Sequence, residues 1–355
     1  MNNIYIFILF LITFVITGCS SKEDVNPFFK KEPQETSHRV IHSDLSMLDS
    51  LSLYDLHGMN NPGLLNSDSD YLYVLDYSPH RLYIFEKPNF NVTQTITPET
   101  GRGPGEIMGI QSFSVNKNHI IFADHSQHKI LLWDFNGQFI TEFITEQVSP
   151  YRINIWDDDE FIINSPTTST ESLFHKFDVN GNYLLSFGNV SRKDFNPFMY
   201  AGQTTIDNEY YYFAGYSEHI IQKWDREGNQ IFSVTTIDDY PFDANYIVHM
   251  GEQTRYEYAP DGIFSAMSIH VFNKYILLIH GDDRYATERF NPYVQYLDIY
   301  DSNTGRYVAT WKLPYMASNI TADEDYLYIL HQGDNDIFIG IYANKLDQLE
   351  DVGEY

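Results

Sequence analysis

Asn61-Pro62-Gly63, then Tyr71-Leu72-Tyr73-Val74-Leu75-Asp76, then Ser78-Pro79-His80-Arg81-Leu82-Tyr83-Ile84-Phe85-Glu86, is the clearest copy of a pattern that runs through the chain. It reads as a proline-containing turn and short strand, a turn, and an aromatic/aliphatic strand ending in Asp. A polar turn follows, then a strand ending in an aromatic residue and an acid. Branched and aromatic side chains suit the half-buried surface of a sheet, whereas Pro, Gly, Asn and Asp punctuate it. A second copy has Phe122-Ala123-Asp124, Ser126-Gln127-His128, Lys129 to Trp133-Asp134, and Asn136-Gly137. The third-strand endings are Phe85-Glu86, Trp133-Asp134, Phe177-Asp178, Trp224-Asp225, Tyr300-Asp301 and Tyr342-Ala343, spaced by 48, 44, 47, 76 and 42 residues. Prolines stand ahead of the copies at Pro62, Pro104, Pro150, Pro197, Pro260 and Pro314.

A period in the forties with three or four short strands per unit predicts an all-β fold, a six-bladed β-propeller, and no helical periodicity competes with it. One small sheet cannot bury both its faces, so the units must close into a ring. The long fifth interval predicts an insertion, placed at Asp238 to Asp261 and carrying Tyr240, His249, Arg255 and Tyr256. The sixth copy ends near Leu346. His38-Arg39-Val40-Ile41-His42 is therefore expected to supply the outer strand of the last blade, making residues 38–355 one domain.

The 355 residues include 49 acidic and 22 basic side chains, a net charge of −27. With no cluster of Lys and Arg to escape that average, a nucleic-acid partner is excluded. Aromatic residues make up 16%, which again favours strands.

Ile4 to Ile16 is apolar except for Thr13 and has the length of a signal-peptide core rather than a membrane span. Ile16-Thr17-Gly18-Cys19 follows, and Cys19 is the one cysteine. Small residues before a cysteine resemble the lipobox of bacterial lipoproteins. The resemblance implies removal of residues 1–18 and lipid on Cys19, although Met1-Asn2-Asn3 lacks the usual basic residues. Residues 19–37 are polar with Pro27 and Pro33 and read as a flexible tether. Ser21-Lys22-Glu23-Asp24 resembles the acidic signal of Bacteroidetes surface lipoproteins, and a solvated linker fits the same residues. Together these place the protein at the outer membrane, lipid-anchored, on the periplasmic side or the cell surface.

Pro62-Gly63, Leu72 to Asp76 and His80-Arg81 to Phe85 resemble an NHL repeat, with His80 and His128 near the usual Asn. Later copies drift, and Gly215 to His219 has lost the aspartate. Gly101-Arg102-Gly103-Pro104-Gly105-Glu106 resembles the hallmark loop of the six-bladed propeller lipoproteins of Bacteroidetes, grouped with TolB-like propellers. The resemblance covers residues 38–346 and implies a fold and an anchor, not a reaction.

Gly101 to Glu106 lacks the Gly-Lys-Ser/Thr ending of a phosphate loop and is read as a tight crossing between blades one and two, with Arg102 and Glu106 on the face where propellers bind. Ser78-x-His80, Ser126-x-His128 and Ser217-x-His219 occupy equivalent turns around a ring, a capping role rather than a shared metal site. Inner strands are expected at Gly109–Val115, Tyr151–Ile155, Gln203–Ile206, Phe264–Ile269 and Ala317–Thr321. They offer Gln111, Ser112, Asn154, Gln203, Thr204, Ser265, Ser318 and Asn319, with Arg152 the one charge and no Asp, Glu or His. A metal-activated water needs several such ligands, so no cofactor is expected. Asp157 to Glu160 and Asp323 to Asp325 are placed at turns between first and second strands. No Gly-x-Ser-x-Gly nucleophile elbow is present.

The crossings carry aromatics: Tyr151 beside Arg152, Phe198, Tyr200, Tyr256 and Tyr315. Rings on a rim stack on sugars or anchor a protein, and rings between blades are simply buried. The expected function is a non-enzymatic binding or scaffold module for an envelope protein or glycan. A hydrolase or lyase acting on a carbohydrate or lactone in the channel is the alternative.

Overall fold

The computed structural model describes residues 27–145, 148–166, 170–190, 197–216, 218–238, 246–249, 255–258, 266–280, 295–333 and 336–352. Six small antiparallel sheets form the ring. Blade one is Pro62–Ser67, Tyr71–Tyr77, His80–Glu86 and Asn91–Ile96, from the axis outward. Blade two begins at Ile110–Val115, blade three at Arg152–Ile155, blade four at Gly202–Ile206, blade five at Ser268–Phe272 and blade six at Met316–Ala322. All six third strands end at the expected markers, at Glu86, Trp133, Asp178, Asp225, Asp301 and Ala343. No helix among the described residues is long and apolar enough to cross a membrane.

Second strands such as Leu72–Asp76 and third strands such as Leu82–Phe85 are buried along their whole length, because each is covered on both faces by neighbouring blades. The apolar residues accordingly divide into six clusters, one per blade interface. Tyr73, Leu75 and Leu82 of blade one meet Phe113, Ile120 and Phe122 of blade two. The last interface joins Tyr328, Leu330 and Ile339 of blade six to Leu65, Leu72 and Val74 of blade one. Burying one such side chain stabilises by about 1.5–3 kcal/mol, and only a closed ring buries every cluster.

The tips between third and fourth strands explain the recurring Asp. Asp178 Oδ1 accepts the backbone N–H groups of Asn180 and Asn182, and Asp225 and Asp301 act alike on the residues after them. Gly181, Gly228 and Gly305 follow at positive φ, each packed against a Phe on the outer strand of the preceding blade: Phe143, Phe187 and Phe232. The marker is therefore a cog between blades.

The ring closes with N-terminal chain, but not with the expected segment. The outer strand of blade six is Met47–Ser52, antiparallel to Ile337–Ala343. Ile41–Asp44 instead adds a fifth, parallel strand to blade five. Arg39 holds it there through a two-pronged bond to Asp298, both contacts 3.0 Å, and a further bond to Asp238. The tether is also shorter than expected: within residues 27–37, Phe28 and Phe29 are buried between blades three and four, and Glu32 and Gln34 bond to residues 233–235. Cys19 and the signal segment lie outside the described residues.

The insertion is divided. Residues 236–267 join blades four and five and contain the hairpin Tyr246–His249 and Arg255–Tyr258. A second long connection, residues 281–294, lies within blade five, and the two together account for the interval of 76.

Candidate functional site: the ring axis and the crossing face

The six inner strands enclose a cavity of about 340 Å³. Ser112, Asn154, Gln203, Thr204 and Asn319 line it as expected, together with Arg152. Ser265 lies outside the described residues. An inner strand leaves backbone N–H groups facing the next blade, and buried donors need acceptors. The lining side chains supply them. Ser112 and Ser114 Oγ accept from Ile153 and Ile155, at 3.3 and 3.1 Å. Ser268 Oγ accepts from Ile320 at 3.2 Å, and Asn319 Oδ1 accepts from Leu65 at 3.0 Å, joining the last blade to the first. Of the groups that mark the channel in the sequence, Ser112 and Asn319 are thus seals between blades and Thr204 donates to Asn154 across the next interface, whereas Gln111 and Ser318 are not among the residues that line the cavity.

Two channel features were not expected. The inner strand of blade five is Ser268–Phe272 rather than Phe264–Ile269, which puts His270 on the cavity wall. The walls are therefore not free of His. Burial pushes His270 down to about 4, against a hydrogen bond that its ring donates to the Ala322 backbone carbonyl, so the imidazole is neutral near pH 7. Trp156, just past the inner strand of blade three, also lines the cavity, and its indole donates to the Asp207 carbonyl at 2.8 Å. Neither residue stood in a stretch read as an inner strand.

Arg152 is buried, over the Tyr151 ring at 4.5 Å. Its Nε donates to Gln203 Oε1 at 3.0 Å, and Nη1 to the carbonyls of Gln111 and Tyr151, both at 3.3 Å. Nη2 donates to the Tyr216 hydroxyl at 2.7 Å. Tyr77, Tyr151 and Tyr216 offset the desolvation that works against this charge, and the net pKa is raised. Burial raises Tyr216 in spite of Arg152, so the pair is a cation and a neutral phenol.

Arg102, Glu106, Tyr151, Phe198, Tyr200, Tyr256 and Tyr315 all fall in outer-to-inner crossings, which open on one face of the ring. Arg102 and Tyr315 are exposed there, and Tyr151 is half-buried. Tyr200 is not available as a rim contact: it is 1% exposed and stacked on Phe29 at 5.1 Å. The side chains of Phe198 and Tyr256 lie outside the described residues. Glu106 is a staple inside its own loop, accepting from Gly103 N–H at 2.6 Å and filling the space where a Gly101 side chain would stand. The loop carbonyls of Gly103 and Glu106 wrap the Lys129 ammonium, at 3.0 and 3.1 Å. The crossing role expected of this loop thus has a physical basis.

The Ser-x-His turns cap backbone in a mixed way. Ser126 Oγ donates to Asp124 at 2.7 Å, and His80 Nδ1 accepts from Ile110 at 3.3 Å. The His128 and His219 carbonyls accept from Thr145 and Thr236. Asp76 and Asp124, at the ends of second strands, accept the backbone N–H groups of Asn60, Asn61 and Met108 as those segments arrive. Asp159 and Asp323 hold their turns through Asn116, His119 and Tyr328. No cluster of three metal-ligating side chains occurs among the described residues.

Residues 56–339 match the family model described as 6-bladed beta-propeller. No curated protein matches the chain. A crystal structure of a protein from Bacteroides fragilis, described as exported, is similar at 15% identity and TM-score 0.57, over 89% of this chain and 99% of that one. That likeness concerns the fold. The propeller domain of Myceliophteria thermophila Cps50 (Swd1), at 11% identity, covers 84% of this chain and 99% of its own. Hydrazine synthase of Kuenenia stuttgartiensis, at 14%, covers 83% and 82%. Both have a TM-score of 0.49.

Proposed function

The chain belongs to the six-bladed β-propeller family, and from that premise we propose that it is a non-catalytic binding module of the cell envelope. A lipid on Cys19 anchors it at the outer membrane, facing the periplasm or the exterior. Its crossing face, with Arg102, Tyr151 and Tyr315, meets an envelope protein or glycan. One observation carries the reading: the channel's polar side chains, Ser112, Ser114, Ser268 and Asn319, are engaged in sealing the blades. Acid-base catalysis needs a positioned proton donor or acceptor with a matched partner. The exported neighbour from Bacteroides fragilis supports an envelope location, as does the lipobox. The backbone-capping roles of Asp76 and Asp124 support the likeness to NHL and TolB-like repeats.

His270 on the cavity wall is the observation that favours the alternative, a hydrolase or lyase acting on a carbohydrate or lactone. The test is a screen of the purified propeller against lactones and oligosaccharides, with and without added Ca²⁺, Mg²⁺ or Zn²⁺. No turnover above background is expected. Turnover that disappears in His270→Gln, with the fold intact, would replace the binding module by an enzyme.

A further inference from the structure

The axial cavity is electrically polarised. Arg152 and Gln203 wall one end, and Asp157, Asp207 and Asn208 wall the other. Arg152 opens its inner strand and Asp157 stands two residues past the strand's end, so about 16 Å of nearly extended chain separates them. Asp157 and Asn208 are exposed, which places the mouth at their end. The turns around that mouth add Asp68, Asp158, Glu209 and Glu324, against Lys117, Lys274 and Arg226, which pairs with Asp158 and donates to the Asn208 carbonyl.

Arg152 is a buried cation held by neutral groups alone. Every acceptor it meets is neutral, and no carboxylate reaches it among the described residues. A guanidinium carries five N–H donors, and four are engaged, two of them in long bonds. A buried cation normally has a paired anion, because desolvation otherwise costs several kcal/mol. Buried Lys223 likewise bonds to a carbonyl, that of Ser302, and lies over the Tyr210 ring, but of these two cations Arg152 is the one that lines the channel. A carboxylate ligand would complete the site with charge-assisted bonds. A simple anion, however, would have to pass a ring of carboxylates. A molecule that carries its own cation at the trailing end avoids that penalty.

We propose that the channel binds an elongated zwitterion, its carboxylate on Arg152 and its ammonium between Asp157 and Asp207. About 340 Å³ along that length accommodates one extended chain in single file, the size of a short peptide of about four residues. Hydroxyl and amide walls such as Thr204 and Asn154 suit a polar backbone between the charged ends. The mouth lies opposite the crossing face, but Arg152 stacks on Tyr151, so the envelope partner is read independently of this site through Arg102 and Tyr315.

Tetraglycine is the probe, titrated calorimetrically into the purified propeller at low ionic strength. Saturable binding is expected, weakened about tenfold or more when the C-terminus is amidated and again when the N-terminus is acetylated. Arg152→Met should abolish it. The two ligand changes decide the question even if that variant unfolds. No saturable heat up to about 10 mM, a free-energy limit near 3 kcal/mol, would overturn the proposal. Equal binding of either blocked peptide would overturn it as well.

Discussion

Arg152 on blade three donates to the Tyr216 hydroxyl on blade four at 2.7 Å, and Gln203 ties the two together, accepting from Arg152 at 3.0 Å and donating to Tyr216 at 3.2 Å. Three side chains from two blades thus hold a cation at the end of the channel. Truncation to Ala would leave the Gln203 and Gln111 oxygens without this donor. Arg152→Ala is expected to cost about 2–4 kcal/mol, read as a lower urea midpoint, whereas Arg102→Ala, exposed on its crossing, should change it by less than about 0.5 kcal/mol.

At the seam between last and first blades, the Asn319 amide joins the inner strands beside the Ser67–Thr321 hydroxyl pair and the Lys87–Asp323 ion pair. Asn319→Ala removes the acceptor of the buried Leu65 N–H and is expected to destabilise by about 1–3 kcal/mol. Because the seam closes the ring, the loss should appear in hydrogen exchange of blades one and six before blade three.

At the third-to-fourth-strand tips the backbone and its neighbour both demand glycine. Gly228 has φ +81°, and an added Cβ would stand 2.8 Å from Phe187. Gly58 has φ +62° with nothing within 4 Å. Gly228→Ala should therefore cost about 2–4 kcal/mol and Gly58→Ala about 1 kcal/mol, compared by thermal unfolding.

Acid should weaken the fold in two steps. Burial pushes His175, His270 and His331 from 6.5 down to about 4, partly opposed by backbone hydrogen bonds. The unfolded chain binds these protons more readily, so stability is full above pH 6.5 and falls between about 6.5 and 4. Asp238 lies near 2: burial alone would raise it, but His280 and then Arg39 pull it down. Its contribution is full above about pH 4 and lost between about 4 and 2. His331→Gln should flatten the upper step and Asp238→Asn the lower, measured by urea midpoints across pH.

Tyr200 separates a structural aromatic from a rim aromatic. Buried against Phe28 and Phe29, it should cost about 3–5 kcal/mol as Tyr200→Ala, while Tyr315→Ala, 43% exposed, should cost less than about 1 kcal/mol. Loss of a partner in the first variant would therefore report unfolding.

The repeat was legible because its markers do local work. Asp178 and Gly181 build a tip from residues a few positions apart, so the pattern survives in sequence. The inner strands of blades two, three, four and six were likewise readable, since Pro and Gly precede them. What escaped depends on distant chain. The latch is Met47-Leu48-Asp49-Ser50-Leu51-Ser52, without a β-branched or aromatic residue, and its strand exists because Ile337–Ala343 offers an edge. The more strand-like Val40-Ile41 goes to blade five because Arg39 finds Asp298, 259 positions away. Tyr200 is a wedge rather than a rim residue because Phe28 and Phe29 arrive from the far N-terminus to cover it. No local signal distinguishes those cases.

The binding role is tested most directly by solubilising membranes gently and purifying the natively lipidated protein through a C-terminal tag, then identifying what accompanies it by mass spectrometry of proteins and glycans. A stoichiometric companion is expected, lost when Arg102 and Tyr315 on the exposed crossing face become Ala and retained in the lipidated wild type. A protein recovered alone, or a companion indifferent to both substitutions, would contradict the crossing face as its binding surface.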